Sequence, residues 1–294
     1  MNNTQTIAQA LAWGTQSCRV LASSHSGAET TYSQHDARSD AKVLLCAVLA
    51  QTPTYLATWP DRHLSEAQFD KFHSYIKRRM SGEPVAFITG VQAFYEHEFA
   101  VSPCTLIPRP ETELLVDTAL SLLEQQPGPC LDLGTGTGAI AISIAAARPD
   151  VSITAVDVVE KAVTLAKHNA QKIGVSNVDI LQSSWFEHVQ GRFSVIVTNP
   201  PYVEPDSPYL DIGDLRFEPN SALSSSSGGY ADIEQIIRSA PNYLRLNGWL
   251  AIEHGNTQAE HVQTIFTQNG FSQVQTVCDY AKQPRLTYAQ WVEK

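Results

Sequence analysis

Four residues at the end of one apolar segment combine groups suited to holding a planar NH₂-bearing group. The segment FSVIVT is followed by Asn199, Pro200, Pro201 and Tyr202. The prolines fix the backbone and leave carbonyl oxygens without competing N–H groups of their own. The Asn199 amide oxygen adds an acceptor, and the Tyr202 ring can cover one face of a planar group. This corner predicts a clamp that holds a weak nitrogen nucleophile in line with an electrophilic carbon.

A glycine-rich turn supplies a second chemical feature. The segment LDLGTGTGAIAI contains Gly134, Thr135, Gly136, Thr137 and Gly138. Glycines between a strand and a helix allow a tight turn and close approach of a ligand to the backbone. The motif fits both the dinucleotide pattern G-x-G-x-x-A and the G-x-G-x-G pattern of S-adenosylmethionine sites, and it lacks the Lys-Ser/Thr of a P-loop. The motif alone leaves the cofactor undecided.

An acid follows at the spacing that nucleoside-binding sheets use. Asp157 ends the segment ITAVD, about 20 residues after the glycines, where such folds place a carboxylate on the ribose hydroxyls. A lone Asp at this position can also cap the next helix. Together with the glycine turn, Asp157 favours nucleoside binding.

Alternating segments predict the elements that position these residues. From Cys130 onward, the strand-like segments CLDL, VSITAV, VDILQ, FSVIVT and WLAIE alternate with helical stretches at 138–147, 159–172, 231–243 and 257–269. This alternation predicts βαβ units and a doubly wound parallel sheet. The final segments FSQVQTVCD and RLTYAQWV are joined by a short link, which favours an antiparallel pair. In such a sheet the ligand crevice lies where the strand order reverses, so we expect Asn199 beside the glycine turn.

The region before the sheet has helical periodicity. Apolar residues recur at three- and four-residue spacing over roughly the first 80 residues, and Ser65 with Gln68 forms a capping-box pattern. The segment AFYEHEFAVSP then predicts a hairpin. We therefore expect a helical domain over 1–85, a hairpin linker over 86–110 and the sheet domain over 111–294. The basic triplet at 77–79 is expected on a solvated helix face, and SSSSGG at 224–229 as a flexible loop.

Composition restricts the class of protein. The chain has 294 residues and a net charge of −10, which disfavours general nucleic-acid binding. Its five cysteines are scattered without C-x-x-C pairing, which disfavours a metal site and suits reduced thiols in a cytoplasm. No apolar run has the length of a membrane span, and the first residues lack the pattern of a signal peptide, so we expect a cytoplasmic location.

Seven segments occur in the order found in one enzyme family. They are RRMSGEPVAFITG, LIPRPETELLV, LDLGTGTGAIAI, AVDVV, VTNPPYV, RFEPNSAL and AIEHG, and the similarity covers roughly Arg78 to Arg285. In these segments the chain resembles the release-factor glutamine methyltransferases, the HemK/PrmC family. The resemblance implies an α/β fold: a Rossmann-like class I methyltransferase with a seven-stranded, mostly parallel sheet, preceded by a small helical domain and a hairpin linker.

The resemblance also implies roles for the residues above. S-adenosyl-L-methionine would be held by Gly134, Thr135, Gly136, Thr137, Gly138 and Asp157, with Trp185 and Asn199 at its border. Asn199, Pro200, Pro201 and Tyr202 would receive the acceptor glutamine, and Asn199, Pro200 and Tyr202 would take part in catalysis without a metal. The implied partner is a class 1 peptide-chain release factor, bound with the help of the helical domain by a monomeric enzyme.

Four further positions have open roles. Arg109 and Glu111 either edge the pocket or cap a helix. Ser184 stands before Trp185 where the family usually carries an acid, and Arg285 lies in a segment that departs from the usual family sequence.

Two other functions are compatible with the corner and the glycine turn. An adenine-N6 nucleic-acid methyltransferase would use the same clamp on a flipped base, but the acidic charge argues against it. A non-catalytic binding module with a vestigial cofactor fold is a third possibility. The intact glycines, Asp157 and the Asn-Pro-Pro-Tyr corner argue against that interpretation.

Overall fold

The structure, a computed structural model, describes residues 5–24, 34–211 and 213–292. The chain divides into two compact units. The helical unit comprises Met1–Gly90 together with Asp211–Phe217, and the sheet unit comprises Val91–Leu210 and Glu218–Lys294. The helical unit is therefore discontinuous in sequence, which the sequence patterns did not indicate. Within the described residues, no helix is both long and apolar enough to span a bilayer.

The helical unit forms as its periodicity predicts. Its helices are α1 (Ile7–Ser24), α2 (Gln34–Leu49), α3 (Pro53–Thr58), α4 (Glu66–Met80) and α5 (Val85–Thr89). Apolar faces of these helices meet in one core, in which Leu44, Phe72 and Ile76 are fully buried. The predicted capping box is confirmed: the Ser65 hydroxyl accepts from the Gln68 backbone N–H, and the Gln68 side chain accepts from the Ser65 N–H.

The basic triplet at 77–79 is not a uniformly solvated face, so that prediction is wrong. Arg79 is only 7% exposed, because its guanidinium pairs with Asp40 at 2.7 Å and with Asp214 at 3.0 Å. Arg78 pairs with Glu83. Asp214 belongs to the segment 211–217 and its side chain is half-exposed, so its pairing with the buried guanidinium helps to hold that segment in the helical unit.

The sheet unit begins with the predicted hairpin, β1 (Val91–Phe94) and β2 (His97–Ala100). The strands of the central sheet are β3 (Cys130–Leu133), β4 (Ile153–Asp157), β5 (Val178–Gln182), β6 (Phe193–Thr198), β7 (Leu244–Glu253), β8 (Ser272–Cys278) and β9 (Pro284–Gln290). Their order is β5-β4-β3-β6-β7-β9-β8, and β9 runs antiparallel to both of its neighbours. The predicted seven-stranded, mostly parallel sheet and its antiparallel pair are confirmed.

Helices cover both faces of this sheet. They are α6 (Glu113–Gln125), α7 (Ala139–Ala147), α8 (Glu160–Ile173), α9 (Asn220–Leu223), α10 (Ser226–Gly229), α11 (Ala231–Ser239) and α12 (Ala259–Gln268), with a 3₁₀ turn at Pro110–Thr112 before α6. Helices α6 to α8 pack on one face, and α11 and α12 on the other. Side chains alternate between these layers along β3, where Cys130 faces the first and Leu131 the second.

The serine-rich segment 224–229 is ordered, which corrects the prediction of a flexible loop. Its last four residues form the short turn α10, in which Ser227 and Gly228 have a left-handed backbone, and Ser225 is buried. The backbone N–H of Ser225 donates to the Val203 carbonyl at 2.9 Å. The segment therefore packs against the chain that leaves the Asn-Pro-Pro-Tyr corner.

Candidate active site

The glycine turn follows β3 and is joined to β4 by one carboxylate. Gly134 and Gly136 have φ of +71° and +56°, a left-handed backbone that favours glycine. Asp157, at the end of β4, accepts from the Gly136 N–H through Oδ2 and from the Val159 N–H through Oδ1, each at 2.9 Å. Burial raises the pKa of Asp157, and these backbone hydrogen bonds oppose the shift. Asp157 thus fixes the turn while its remaining lone pairs stay available to a ligand.

The end of β6 lies directly beside this turn. Leu133 and Thr198 are paired in the parallel ladder, and the Thr198 hydroxyl donates to the Leu133 carbonyl at 2.8 Å. Asn199 and Gly134 therefore follow neighbouring strands at the point where the strand order reverses. The predicted position of the corner is confirmed.

A cavity of about 230 Å³ opens at this point, with room for a nucleoside-sized ligand. Its walls include the four residues 134–137 of the glycine turn, Asp157 and the corner residues Asn199 and Pro201. They also include Ser184 and Trp185, five residues of the segment before α6 (Cys104, Thr105, Leu106, Pro108 and Arg109), and Thr112, Ser221 and Ala222. All of these residues belong to the sheet unit.

The residues present fit a nucleoside cofactor. Asp157 is 9% exposed and faces the cavity, so its free lone pairs can accept from ribose hydroxyls. The Thr105 hydroxyl also belongs to a cavity-lining residue and has no hydrogen-bond partner among the described residues. A Cβ added at Gly134 would lie 3.4 Å from the Trp185 ring, so glycine leaves space between the turn and this ring.

The Asn-Pro-Pro-Tyr corner is held by groups from several distant segments. The Asn199 side-chain nitrogen donates to the Thr112 hydroxyl at 3.2 Å. The Gln258 side chain donates to the Tyr202 carbonyl at 3.1 Å. A Cβ added at Gly229 would lie 2.2 Å from the same carbonyl oxygen, so α10 approaches the corner as closely as a glycine permits. Two kinds of restraint therefore act on the corner: the fixed backbone of its two prolines, and the contacts of Thr112, Gln258 and Gly229 with it.

Three predicted site residues do not line the cavity. Gly138 caps α7 with φ of +83°, and an added Cβ would lie 2.6 Å from Ile142. The structure therefore gives Gly138 a packing role. Pro200 is buried, and Tyr202 is half-buried beside the core cluster under α11 and α12. The predicted contacts of Gly138, Pro200 and Tyr202 with ligands stay predictions.

The four positions with open roles differ in placement. Arg109 lines the cavity and pairs with Glu218, whose side chain is fully buried. Glu111 is exposed and is not part of the cavity wall. Ser184 lines the cavity and is exposed. Arg285 pairs with Asp279 at 3.2 Å and does not line the cavity.

A buried carboxyl lies behind the corner. Glu253, at the end of β7, is 2% exposed, and the Tyr202 hydroxyl donates to its Oε1 at 3.5 Å. Burial raises the pKa of Glu253 to about 7, while the Thr112 hydroxyl and the Arg285 charge oppose the shift and Glu111 reinforces it. Its other oxygen, Oε2, makes no hydrogen bond of good geometry with a described residue. Glu253 therefore faces Tyr202, which belongs to the corner, and Thr112, which contacts Asn199 of the corner.

The patterns above did not identify Thr112, Glu218 or Glu253 as functional. Each of them lies inside one of the quoted segments: Thr112 in LIPRPETELLV, Glu218 in RFEPNSAL and Glu253 in AIEHG. For Glu253 the sequence did contain a signal, because it is an acid at the end of the apolar strand segment WLAIE. A carboxyl buried in such a strand requires hydrogen-bonding partners, which marks it as a candidate for the site.

Comparisons with known proteins agree with this geometry. Residues 110–218 match the Methyltransferase small domain family, and residues 26–90 match the PrmC N-terminal domain family. A release factor glutamine methyltransferase of Yersinia pestis is 45% identical over 254 residues, which cover 86% of this chain and 92% of that protein. The enzyme of the same name from Pseudomonas aeruginosa is 46% identical over 256 residues, or 87% and 93% of the two chains. A solved methyltransferase from Pyrococcus furiosus shares the fold with a TM-score of 0.51 at 18% identity, over 74% of this chain and 98% of that one.

The fold and the matched domain are those of a class I methyltransferase. With identities above 40% over most of its length, the chain belongs to the release factor glutamine methyltransferase family. The resemblance stated from the seven segments is thereby confirmed.

Proposed function

We propose that this enzyme transfers a methyl group from S-adenosyl-L-methionine to the side-chain amide nitrogen of the glutamine in the Gly-Gly-Gln loop of class 1 peptide-chain release factors. One observation carries the proposal: the cavity that contains Asp157 and the glycine turn also contains Asn199 and Pro201. A nucleoside site and an amide clamp thus share one wall. Membership of the family supports the choice of acceptor.

On the cofactor side, Asp157 would accept from the ribose hydroxyls and the glycine turn would allow close approach of the ligand. Trp185 and Asn199 would border the cofactor. When bound, S-adenosyl-L-methionine would supply an electrophilic methyl group. The amide nitrogen would form the new bond to this carbon as the carbon–sulfur bond breaks, and it would then give up one proton to solvent.

On the acceptor side, the enzyme must compensate for a weak nucleophile. The lone pair of an amide nitrogen is delocalised into its carbonyl. The Asn199 side-chain oxygen and the Pro200 carbonyl would accept from the two N–H groups and stabilise the positive charge that grows on the nitrogen. The Tyr202 ring and Pro201 would complete the acceptor site. In this mechanism the residues align the nitrogen and hold its protons.

The experiment that tests the function compares acceptors. The protein is incubated with methyl-labelled S-adenosyl-L-methionine and either a class 1 release factor, the same factor with Gln→Ala in its Gly-Gly-Gln loop, or duplex DNA. We expect label on the unmodified factor alone. Label on DNA would favour the adenine-N6 alternative, and equal label on both factors would place the modification at another residue.

We assign substrate binding in part to the helical unit, because a short loop offers little area for specificity. Trp59 lies in this unit and is 55% exposed, and exposed Trp residues are frequent anchors of protein interfaces. Trp59→Ala should lower kcat/KM on the intact factor and leave it unchanged on a loop peptide. Tyr280→Ala, at a 96% exposed position of the sheet unit, is the control. Equal losses on both substrates would contradict the assignment. The monomeric state and the cytoplasmic location stay predictions from the sequence.

A further inference from the structure

The orientation of the Asn199 amide depends on one buried hydroxyl. Thr112 is 4% exposed and lies at the end of the 3₁₀ turn before α6. Its oxygen accepts from the Asn199 side-chain nitrogen at 3.2 Å. This contact joins the corner to a segment 87 residues earlier in the chain. It directs the NH₂ group of the Asn199 amide towards Thr112, so the amide oxygen points the other way.

A hydroxyl has a single proton, so its direction depends on where that proton goes. The Glu253 carboxyl lies beside Thr112, and in its ionised form it can only accept from that hydroxyl. Its Oε2 is buried without a well-formed hydrogen bond to a described residue. If Thr112 donates to Glu253, its oxygen can only accept from Asn199. The Asn199 amide must then present its NH₂ to Thr112 and its Oδ1 to the cavity.

The same carboxyl also orients the ring at the other end of the corner. The Tyr202 hydroxyl donates to Glu253 Oε1 at 3.5 Å. Burial raises the pKa of Tyr202, with the Glu253 charge adding to the shift, so the phenol keeps its proton and remains a donor. Glu253 thus lies between Thr112, which contacts Asn199, and Tyr202.

We infer that Thr112, with the Glu253 carboxyl behind it, is a positioning residue that determines which end of the Asn199 amide faces the cavity. The inference rests on the proposed function, in which Asn199 Oδ1 accepts from the acceptor NH₂. Without Thr112, the amide is free to rotate by half a turn and to direct its own NH₂ at the incoming NH₂. The NH₂ group of Asn199 and the NH₂ group of the acceptor glutamine would then face each other as two donors. The glutamine nitrogen would lose its alignment with the methyl group.

A double-mutant cycle tests this inference, because a residue that acts only through Asn199 has no effect once Asn199 is gone. The cycle comprises the parent, Thr112→Val, Asn199→Ala and the double variant. Single-turnover methyl transfer is measured with saturating labelled S-adenosyl-L-methionine and release factor. Thr112→Val should slow transfer about tenfold in the parent, the effect of one well-placed hydrogen bond. In the Asn199→Ala background it should change the rate less than about twofold.

Two further measurements separate positioning from structural damage. Cofactor affinity, measured by calorimetry, should stay within about twofold of the parent in Thr112→Val, because Thr112 acts on the acceptor side. Thr112→Ser keeps the hydroxyl and should restore at least half of the parental rate. If Thr112→Val unfolds at the assay temperature, Thr112→Ala takes its place in the cycle.

The outcomes that overturn the inference are distinct from those that overturn the function. Equal slowing by Thr112→Val in both backgrounds, or no slowing in either, overturns the positioning role alone when Asn199→Ala is itself slow. A Thr112→Ser variant as slow as Thr112→Val does the same. If Asn199→Ala is as fast as the parent, or if the parent does not label the factor, the proposed clamp and the inference fail together.

Discussion

Two buried carboxyls lie behind the site, and they differ in how their surroundings are assembled. Asp132, on the cofactor side, accepts from the Thr135 hydroxyl only three residues away, at 2.6 Å. Glu253, on the acceptor side, faces Tyr202 from 51 residues away and Thr112 from an even earlier segment. Both are nearly inaccessible to solvent. The contact of Asp132 is thus local, whereas those of Glu253 join distant parts of the chain.

This difference shows which part of the site tolerates change. The contact between Asp132 and Thr135 should persist when a distant residue is altered, because this hydrogen bond closes within three residues. The corner depends on Thr112, Gly229, Glu253 and Gln258, none of which lies within it. We therefore expect distant substitutions to impair methyl transfer more readily than cofactor binding.

The largest expected effect is that of Asn199→Ala, which should impair methyl transfer far more than cofactor binding. Asn199→Ala removes the proposed acceptor for the NH₂ and should lower the single-turnover rate by about 10²–10³-fold, the usual cost of one preorganised polar contact. Cofactor affinity should fall much less. Asn199→Asp keeps an acceptor of similar shape and should retain more activity than Ala. An Ala variant with the parental rate would remove Asn199 from the acceptor site.

Stability against pH compares the two carboxyls. Burial raises the pKa of Asp132 and of Glu253 to about 7 each, above their ordinary values near 4. Between about pH 4 and 7 the folded protein therefore holds protons that the unfolded chain has lost, so the free energy of unfolding falls as pH rises and levels off above about 7. Asp132 should contribute up to about 4 kcal/mol to this fall and Glu253 up to about 3 kcal/mol.

Asp132→Asn and Glu253→Gln should each reduce this dependence on pH. The measurement is denaturant unfolding from pH 5 to 7.5. Above about pH 7, where the native Glu253 is ionised and can only accept, Glu253→Gln should in addition slow methyl transfer, because a Gln can offer its NH₂ as well as its oxygen to Thr112. Curves parallel to the parent in both variants would mean that neither carboxyl holds its proton in the folded state.

Asp157→Ala should produce the opposite pattern to Asn199→Ala. The loss of a charged hydrogen bond to the ribose should weaken cofactor binding by about 1.5–3 kcal/mol, and calorimetric titration measures it. At saturating cofactor the transfer rate should recover most of its parental value. An unchanged affinity would exclude Asp157 from cofactor binding.

The smallest expected effect concerns α10 and offers a matched pair. Gly229 and Gly228 have φ of +85° and +68°, so Ala at either position costs about 1–2 kcal/mol of stability. Only at Gly229 would the new methyl group meet the Tyr202 carbonyl, at 2.2 Å; at Gly228 its nearest neighbour is the Tyr230 ring at 3.7 Å. Gly229→Ala should slow methyl transfer about tenfold by displacing the corner, and Gly228→Ala should not. Equal rates would show that the corner does not depend on α10.

The fold and the location of the site could be predicted from sequence because their signals are local. Alternating segments predicted the sheet, and the Asp157 spacing predicted the cofactor side. The contacts that hold the corner could not be predicted, because Thr112 and Glu253 meet Asn199 and Tyr202 only after the sheet has brought β6 and β7 together. The packing of SSSSGG was missed for the same reason, since the carbonyl of Val203 that accepts from the Ser225 N–H lies outside the segment.

The discontinuous helical unit has a consequence for synthesis on the ribosome. Arg79 is nine-tenths buried, yet its partner Asp214 is made 135 residues later. A nascent chain that has only reached Gly90 therefore holds this guanidinium without the Asp214 carboxylate, and the loss of a charged partner destabilises a buried guanidinium. Domains often fold in order from the N-terminus during translation. Here the segment 211–217 follows strands β3 to β6 in the chain. The helical unit can therefore be completed only after the chain as far as Phe217 has left the ribosome.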